Sequence, residues 1–405
     1  MRALFAGTTP GRDRVLGSVP HRGGMRVAIV TESYRPDVNG VSHSVQRVVE
    51  HLLARGHSPL VIAPEPDPAT RRDTEPDDPC PVLRVPSVPL PGYPAFRIGL
   101  PSRRVEAAIA AHGAEVVHLA SPFALAAHGA FVAERLGVPS VAVYQTDVAG
   151  FAGFYRSGGG NSLGRAAVWR WLRRVHGRAE RTLAPSSAAT ADLRAHGIGG
   201  VHLWPRGVDG VRFHPARRDE DLHTELAPGG ELLVGYVGRL APEKHLELLE
   251  PVTHLPGVRV VVVGAGPARR TLEQRLPGAH FTGELRGGEL ARMYASLDVF
   301  VHTGAHETFC QAVQEALASG VPVVAPNAGG PVDLVRHGGT GYLVEPGSGA
   351  AVAAAVTALA DPVRRAEFGL AARRSVARRT WTAVGDALLD HYDAAIGGHG
   401  LVRAA

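Results

Sequence analysis

The stretch MRVAIVTESYRPDVNGVSHSVQRVVEHLLARG, residues 25–56, contains one complete strand-loop-helix unit. Residues 26–31 are a short run of mostly apolar and β-branched residues, which is typical of a buried parallel strand. Apolar residues then recur at helical spacing from Val41 to Leu53, and Gly56 ends the predicted helix. A strand followed at once by an amphipathic helix indicates an α/β fold with a parallel sheet.

The same alternation of strands and helices fills two blocks of the chain, residues 25–200 and 201–380. Further strand candidates are residues 60–63, 116–119 and 140–144 in the first block and 232–237, 259–264, 298–303 and 321–325 in the second. This pattern predicts two Rossmann-like, doubly wound parallel-sheet domains that face a cleft. In such folds, ligands bind at the carboxyl ends of the strands.

Two segments flank these blocks. Residues 1–24 contain no continuous apolar run, so they do not read as a signal peptide. We expect a disordered N-terminal extension there, or a misassigned start codon that leaves these residues untranslated. Residues 381–405 form a C-terminal helix and tail, and the helix from Trp381 to Ile396 can pack on either domain, including back on the first.

The composition excludes several classes of protein. Two cysteines, Cys80 and Cys310, are too few for a disulfide framework and favour a reducing compartment. No apolar run reaches the roughly 18 residues that a membrane-spanning helix needs. The net charge of +5 suits a phosphorylated ligand or an anionic membrane, whereas no recognition motif favours nucleic acid. We therefore expect a cytoplasmic protein whose membrane contact, at the inner face of the plasma membrane, is peripheral.

The loop of the first unit, residues 32–40, places Gly40 directly before a helix. A helix N-terminus offers unpaired N–H groups, and a glycine lets a diphosphate approach the backbone. The loop lacks the three glycines of a dinucleotide-binding fingerprint. The alternative is that Asn39 and Gly40 only form the turn before the helix.

In the second block, Arg239 and Lys244 follow the strand at residues 232–237. Arginine offers a planar fork for phosphate oxygens and lysine a mobile point charge, so the two cations suit a diphosphate. They could also be surface charges near a helix start. Gly264 and Gly266 follow the next strand, where a tight turn without Cβ atoms can admit a ribose or a base.

The sequence HETFCQAVQEALASG, residues 306–320, contains Glu307 and Glu315 eight positions apart. If the whole segment were helical, these carboxylates would lie roughly 12 Å apart along the axis. A glycosidase needs about 5–9.5 Å, so the pair instead suits two contacts on one extended ligand. The run is helical from Phe309 onward by periodicity, and the N–H groups of residues 309–311 would point to that ligand.

Together, the Gly40 loop, Arg239 with Lys244, the Gly-x-Gly turn and the Glu-x7-Glu element resemble glycosyltransferase family 4. Members of that family have the GT-B fold and retain anomeric configuration. The resemblance extends from Met25 to about His391. The stretches RVAIVTESYRPDVNGVSHSV, VVHLASP, VAVYQTDVAGF and HETFCQAVQEALASG are similar above all to actinobacterial GDP-mannose-dependent α-mannosyltransferases that build lipid-linked glycans. Sulfolipid synthases, which use UDP-sulfoquinovose, are the next most similar group.

The resemblance also implies roles for the site residues. Arg239 and Lys244 would hold the donor diphosphate, Glu315 the ribose, and Glu307 the donor hexose. The remaining implied donor contacts are Gly40 at the phosphate, Leu285 at the base, and the backbone N–H groups of Phe309, Cys310 and Gln311 near the hexose.

A catalytic histidine often occupies the first domain of this family, and His118 is the candidate here. The familiar His-x-Glu-Pro form is absent, because residues 120–122 read Ala-Ser-Pro. His118 could equally be a core residue at a strand end. A second family position reads Gln145-Thr146, and Tyr144 and Asp147 beside it are acceptor candidates.

The resemblance predicts a retaining glycosyltransferase that moves mannose from GDP-mannose to a lipid or lipid-linked glycan. Front-face substitution would use Arg239 and Lys244 in place of a metal, so no cofactor or metal is expected beyond the donor. Asp219 and Asp221 form Asp-x-Asp, but their polar surroundings favour a solvated loop. The alternatives are a UDP-sugar-dependent glycolipid synthase that transfers sulfoquinovose or glucose, a nucleotide-sugar epimerase, and a non-catalytic binding protein.

The acceptor side has one further pattern. Residues 165–178 read RAAVWRWLRRVHGR, with five arginines and two tryptophans. Such a helix can lie on an anionic membrane or bind an acidic lipid head group. The alternative is an ordinary amphipathic helix with its tryptophans in the core and its arginines in water.

Overall fold

The computed structural model describes residues 24–37, 39–67, 78–90, 93–146 and 162–404. Apart from Gly24, the predicted extension lies outside these residues, as does Asp147. Within the described chain, two parallel sheets of seven and six strands confirm the predicted α/β class.

The first sheet is entirely parallel. Its strands are β1 (Arg26–Val30), β2 (Ser58–Pro64), β3 (Val82–Val85), β6 (Val116–Leu119), β7 (Ser140–Val143), β8 (Arg181–Ala184) and β9 (Val201–Leu203). They lie in the order β3-β2-β1-β6-β7-β8-β9. A separate antiparallel hairpin consists of β4 (Ser87–Leu90) and β5 (Tyr93–Gly99).

The second sheet is also entirely parallel. It contains β10 (Leu232–Val237), β11 (Val258–Val263), β12 (His280–Gly283), β13 (Val299–Val301), β14 (Val323–Pro326) and β15 (Gly341–Val344). The order β12-β11-β10-β13-β14-β15 places β11 and β13 on either side of β10. The loops after β10 and β13 therefore meet at one edge of the sheet, where ligands are expected.

Helices connect these strands. In the first half of the chain they are α1 (Gly40–Ala54), α2 (Arg103–His112), α3 (Ala124–Leu136), α4 (Ser162–His176) and α5 (Ser187–Ala195). In the second half they are α6 (Glu220–Leu226), α7 (Glu250–Thr253), α8 (Arg269–Arg275), α9 (Gly287–Ser296), α10 (Gln311–Ala318), α11 (Pro331–Leu334), α12 (Gly349–Ala358), α13 (Pro362–Val376) and α14 (Trp381–Ala404). No described helix combines the length and apolar content needed to cross a bilayer.

Both faces of each sheet are covered by hydrophobic cores, which explains the continuous apolar strands. Along β1, Val27 and Ile29 face one core, while Ala28 and Val30 face the other. The second sheet shows the same division, with two clusters packed on opposite faces.

The last helix, α14, packs on the first sheet rather than on the domain that precedes it in sequence. Leu388 and Tyr392 join the core cluster that contains Val27 and Ile29 of β1. The chain therefore crosses between the two domains twice. The crossings lie side by side, because Val208 and Thr380 form a parallel bridge.

We predict that Leu388→Ala lowers the free energy of unfolding by about 2–5 kcal/mol, because it leaves a cavity beneath α14. Leu388 is 2% exposed, whereas Leu370 on α13 is 63% exposed. Leu370→Ala removes the same atoms from solvent-exposed surface and should change stability by no more than about 0.5 kcal/mol. Urea denaturation of both variants measures the difference, and equal losses would show that α14 does not complete the first core.

Candidate active site

A buried ion pair lies at the edge of the second sheet. Lys244 ends a short 3₁₀ helix after β10, and Glu307 lies in the loop after β13. The Lys244 Nζ atom donates to Glu307 Oε1 at 2.5 Å. Burial opposes ionisation, but Lys244 and His302 together lower the pKa of Glu307 to about 2. Glu307 is therefore a carboxylate at any physiological pH.

His302 is a buried neighbour of this pair that sequence reasoning missed. It follows β13 directly, is 3% exposed, and its Nε2 atom lies 3.3 Å from Glu307 Oε1. Burial favours the neutral ring, but Cys310 and Glu307 raise the pKa of His302 to about 10. In the sequence His302 is one polar residue at a strand end, with no motif to distinguish it.

The helix α10 begins at Gln311, later than its periodicity predicts. Cys310 has a φ of 77°, a left-handed conformation that separates the loop from the helix. Phe309 and Glu307 therefore lie in the loop, and the two glutamates are not on one continuous helix. The distance predicted for a fully helical segment does not apply, because the turn at Cys310 redirects the chain.

The N-terminus of α10 remains available to a ligand. No side chain of the described residues caps it at Cys310, so the first N–H groups of the helix are free to donate. Glu315 lies on α10, where burial raises its pKa to about 7. Leu285 follows β12 and packs, partly buried, against the same core as α10.

Arg239 follows β10 and forms an ion pair with Glu243, a side chain that is 6% exposed. Its own side chain stays 30% exposed. Glu243 thus fixes the guanidinium, while part of it remains accessible to an anionic ligand. The structure brings Arg239, Lys244 and Glu307 to the same sheet edge, as expected from the order of β10 and β13.

The two glycines after β11 are required by protein packing. A Cβ at Gly264, where φ is 136°, would lie 2.0 Å from the carbonyl oxygen of Gly238. A Cβ at Gly266 would lie 2.2 Å from the carbonyl oxygen of Leu240. The close approach of two loops therefore explains the Gly-x-Gly turn without a ligand.

At Gly40, the structure favours a capped helix start. The Asn39 side chain accepts hydrogen bonds from Val41 N and Ser42 N, both at 3.0 Å. Two of the N–H groups expected to hold a diphosphate are thus already paired. The Gly40 carbonyl accepts a hydrogen bond from Arg206 Nη1 at 2.8 Å, which connects this loop to the interdomain linker, residues 205–225.

His118 and Tyr144 lie in the core of the first domain rather than in the cleft. His118 is 2% exposed, its Nδ1 atom lies 2.8 Å from the Tyr392 hydroxyl, and burial lowers its pKa to about 4. Tyr144 is also 2% exposed and packs in a cluster with Trp169. We therefore correct the expectation for His118: α14 covers it, and it is a core residue at a strand end.

Arg206 joins the two domains, a role that the sequence did not indicate. This side chain is 8% exposed and donates to Gly40 O and, at 2.6 Å, to Gln145 Oε1 of the first domain. Its own carbonyl accepts from Gln314 Nε2 on α10 at 3.0 Å. Thr308 Oγ1 donates to Gln145 O at 3.3 Å, which adds a second contact across the cleft.

Comparisons with known proteins assign the family. Residues 38–212 match the model of Glycosyltransferase Family 4, and residues 217–375 match that of Glycosyl transferases group 1. A GDP-mannose-dependent alpha-mannosyltransferase of Mycolicibacterium smegmatis is 51% identical over 382 residues, which cover 94% of this chain and 100% of that protein. This chain belongs to the family 4 glycosyltransferases. The finding confirms the predicted family and places the chain among transferases rather than epimerases.

More distant relatives share the fold. A sulfoquinovosyl transferase of Arabidopsis thaliana is 34% identical over 89% of this chain and 71% of its own. The solved sucrose-phosphate synthase of Thermosynechococcus elongatus superimposes with a TM-score of 0.75 at 22% identity, covering 94% of this chain and 100% of that one. An Anabaena protein in complex with UDP superimposes with a TM-score of 0.72 at 19% identity. The match covers 91% of this chain and 100% of that one. These likenesses confirm the GT-B fold of this glycosyltransferase.

We predict that Arg206→Met lowers the free energy of unfolding by about 1–3 kcal/mol, because Gly40 O and Gln145 Oε1 lose their donor. The control is Arg217→Met, at an exposed arginine farther along the same linker. It should change stability by no more than about 0.5 kcal/mol. Urea denaturation measures both, and equal values for the two variants would contradict a joining role for Arg206.

Proposed function

We propose that this glycosyltransferase transfers mannose from GDP-mannose, with retention of configuration, to a lipid or lipid-linked glycan acceptor. The main support is the 51% identity to a GDP-mannose-dependent alpha-mannosyltransferase, which extends over the full length of that relative. The ion pair of Lys244 with Glu307 supplies the chemistry that such a donor requires. It places a cation suited to phosphate beside a carboxylate suited to sugar hydroxyls.

In this proposal Arg239 and Lys244 bind the donor diphosphate from the second domain. Glu243 fixes Arg239, whereas Lys244 has a flexible side chain and can reach a phosphate while it stays close to Glu307. Glu307 accepts hydrogen bonds from the mannose hydroxyls, and Glu315 binds the ribose. The free N–H groups at the start of α10 lie between these two carboxylates in sequence and donate to the donor.

The reaction proceeds by front-face substitution. The bond between the anomeric carbon and the diphosphate oxygen breaks, and the acceptor oxygen bonds to that carbon on the same face. The acceptor proton passes to the leaving diphosphate, so no enzyme base is required. Arg239 and Lys244 stabilise the negative charge that develops on the diphosphate, the role that a metal ion fills elsewhere. We propose that no metal or further cofactor takes part.

The donor assignment is tested by binding. We predict that GDP-mannose raises the midpoint of thermal unfolding, because a ligand of the folded state stabilises it by about 2.7 kcal/mol at a hundredfold excess over Kd. UDP-glucose, ADP-glucose and UDP-sulfoquinovose, tested at the same concentration, should give smaller shifts. A larger shift with UDP-sulfoquinovose would reject GDP-mannose and favour the sulfoquinovosyl transferase, to which the chain is 34% identical.

The roles of the two glutamates are separated by comparing GDP-mannose with GDP. Glu307→Gln should weaken GDP-mannose binding by roughly 10–100-fold, because a hydrogen bond to a charged group contributes about 1.5–3 kcal/mol. It should weaken GDP binding less than GDP-mannose binding, since GDP has no hexose. Glu315→Gln should weaken the binding of GDP and of GDP-mannose by the same factor. Isothermal titration calorimetry measures all four affinities, and an equal loss of GDP and GDP-mannose in Glu307→Gln would contradict its role at the hexose.

The acceptor side of the proposal rests on α4 and its neighbour α3. Trp169 is buried, whereas Trp171 is 39% exposed and Phe131 on α3 is 49% exposed. These two rings line a groove of about 270 Å³ together with Arg174 and Arg178. Exposed aromatic rings next to arginines suit the interface of an anionic membrane, so we propose that this surface contacts the membrane that carries the acceptor.

We predict that Arg173→Glu with Arg174→Glu on α4 abolishes flotation with vesicles rich in phosphatidylglycerol, because each basic residue contributes about 1 kcal/mol at such a surface. The control carries Arg217→Glu and Arg270→Glu, two exposed arginines of the second domain. It changes the net charge equally and should still float. If both double variants float like the wild type, α4 does not bind the membrane.

A further inference from the structure

His302 is a buried side chain whose ring makes no hydrogen bond. It is 3% exposed, and neither Nδ1 nor Nε2 has a hydrogen-bond partner of acceptable geometry. Buried polar atoms in proteins are nearly always hydrogen-bonded, so a buried imidazole that faces a carboxylate without a well-directed hydrogen bond requires an explanation. Its Nε2 atom approaches Glu307 Oε1 at 3.3 Å without forming such a bond.

Two further ligand atoms surround this ring. One atom each of His302, Glu307 and Cys310 lie within 4.8 Å of one another. An imidazole nitrogen, a carboxylate oxygen and a thiolate sulfur are the three ligand types that zinc prefers. Zinc lies about 2.0–2.3 Å from such atoms, so side-chain rotations that shorten the longest separation would complete a tetrahedral face. Among the described residues, no other group of this kind with three ligands occurs.

We propose that His302, Glu307 and Cys310 form a binding site for one thiophilic divalent cation, best matched by Zn²⁺, and that its occupancy inhibits the enzyme. The fourth coordination position would be filled by water, as in zinc sites with three protein ligands. Binding releases the protons of the Cys310 thiol and the His302 ring to solvent. The carboxylate and the thiolate then balance the charge of the cation.

The Cys310 sulfur favours a soft cation at this position, because sulfur ligands select zinc over magnesium. The cation must displace Lys244 from Glu307, and that competition favours a strongly bound soft cation over Mg²⁺. Mg²⁺ also prefers oxygen ligands in octahedral geometry, which this set does not provide.

Inhibition, unlike binding of the cation, rests on the proposed role of Glu307. A carboxylate that coordinates zinc no longer accepts hydrogen bonds from the donor hexose, and Lys244 loses its partner. Zinc and GDP-mannose should therefore compete. The cation acts here as an inhibitor of a reaction that itself requires no metal.

The binding test uses Co²⁺, whose spectrum reports its ligands. The metal-free wild type should bind one Co²⁺ with intense visible bands of tetrahedral geometry and a near-ultraviolet charge-transfer band from the thiolate. Zn²⁺ should displace it and abolish these bands. Cys310→Ser should lose the charge-transfer band, and His302→Asn should bind Zn²⁺ at least about tenfold more weakly, since even outer-shell changes cost 10–100-fold.

The matched control is Cys80→Ser, which changes the other buried cysteine, in the core of the first domain. It should keep the wild-type spectrum and affinity for Zn²⁺. Circular dichroism of each variant shows whether it is folded, which distinguishes loss of the metal site from unfolding. A wild-type protein without the thiolate band, or a Cys310→Ser variant that retains it, would overturn the proposal.

A final measurement distinguishes the site from the proposed function. GDP-mannose should weaken Zn²⁺ binding to the wild type, and EDTA should restore transfer that Zn²⁺ has inhibited. If Co²⁺ binds with the expected spectrum but GDP-mannose does not compete with the metal ion, the metal site is supported and its inhibitory role is rejected. If GDP-mannose fails to bind the metal-free protein, the proposed donor fails while the spectroscopic test is unaffected.

Discussion

The ion pair between Lys244 and Glu307 joins the two loops that form the candidate active site. Each partner is largely removed from water, so each charge depends on the other. Removing one partner of a buried pair leaves an uncompensated charge and costs about 3–5 kcal/mol. The pair forms because β10 and β13 are neighbours in a parallel sheet, which brings the ends of both strands to one edge. The order of the strands in the sheet thus determines where these two charged side chains meet.

The strand interiors could be predicted because their apolar runs are continuous. Residues 116–119 and 232–237 form strands with the predicted bounds. Short edge strands such as β3 and β9 could not be predicted, because an edge strand is partly exposed and its run of apolar residues is less continuous. The start of α10 was misplaced for a different reason. Periodicity reports side-chain burial and does not detect a single left-handed residue such as Cys310.

The candidate site was predictable where the residues lie within one β-α unit. Arg239 and Lys244 follow one strand, and their charges alone suggest phosphate. His118 was ambiguous because its environment is supplied by Tyr392, which lies 274 residues away. Arg206 was missed for the same reason, because Gly40 and Gln145 come from distant segments. His302 lies close to its neighbours Glu307 and Cys310 in sequence, but a single buried polar residue has no local pattern.

The linker and α10 behave as one structural unit, with a consequence for catalysis. Gln314 on this helix donates to the Arg206 carbonyl, and Gln311 donates to the Gly207 carbonyl at 3.1 Å. Arg206 in turn bonds to Gln145 and Gly40 of the first domain. A rotation of the domains about the linker must therefore strain or move the helix that carries Glu315. Donor binding at α10 and the relative position of the acceptor domain are thereby coupled through hydrogen bonds to the linker backbone.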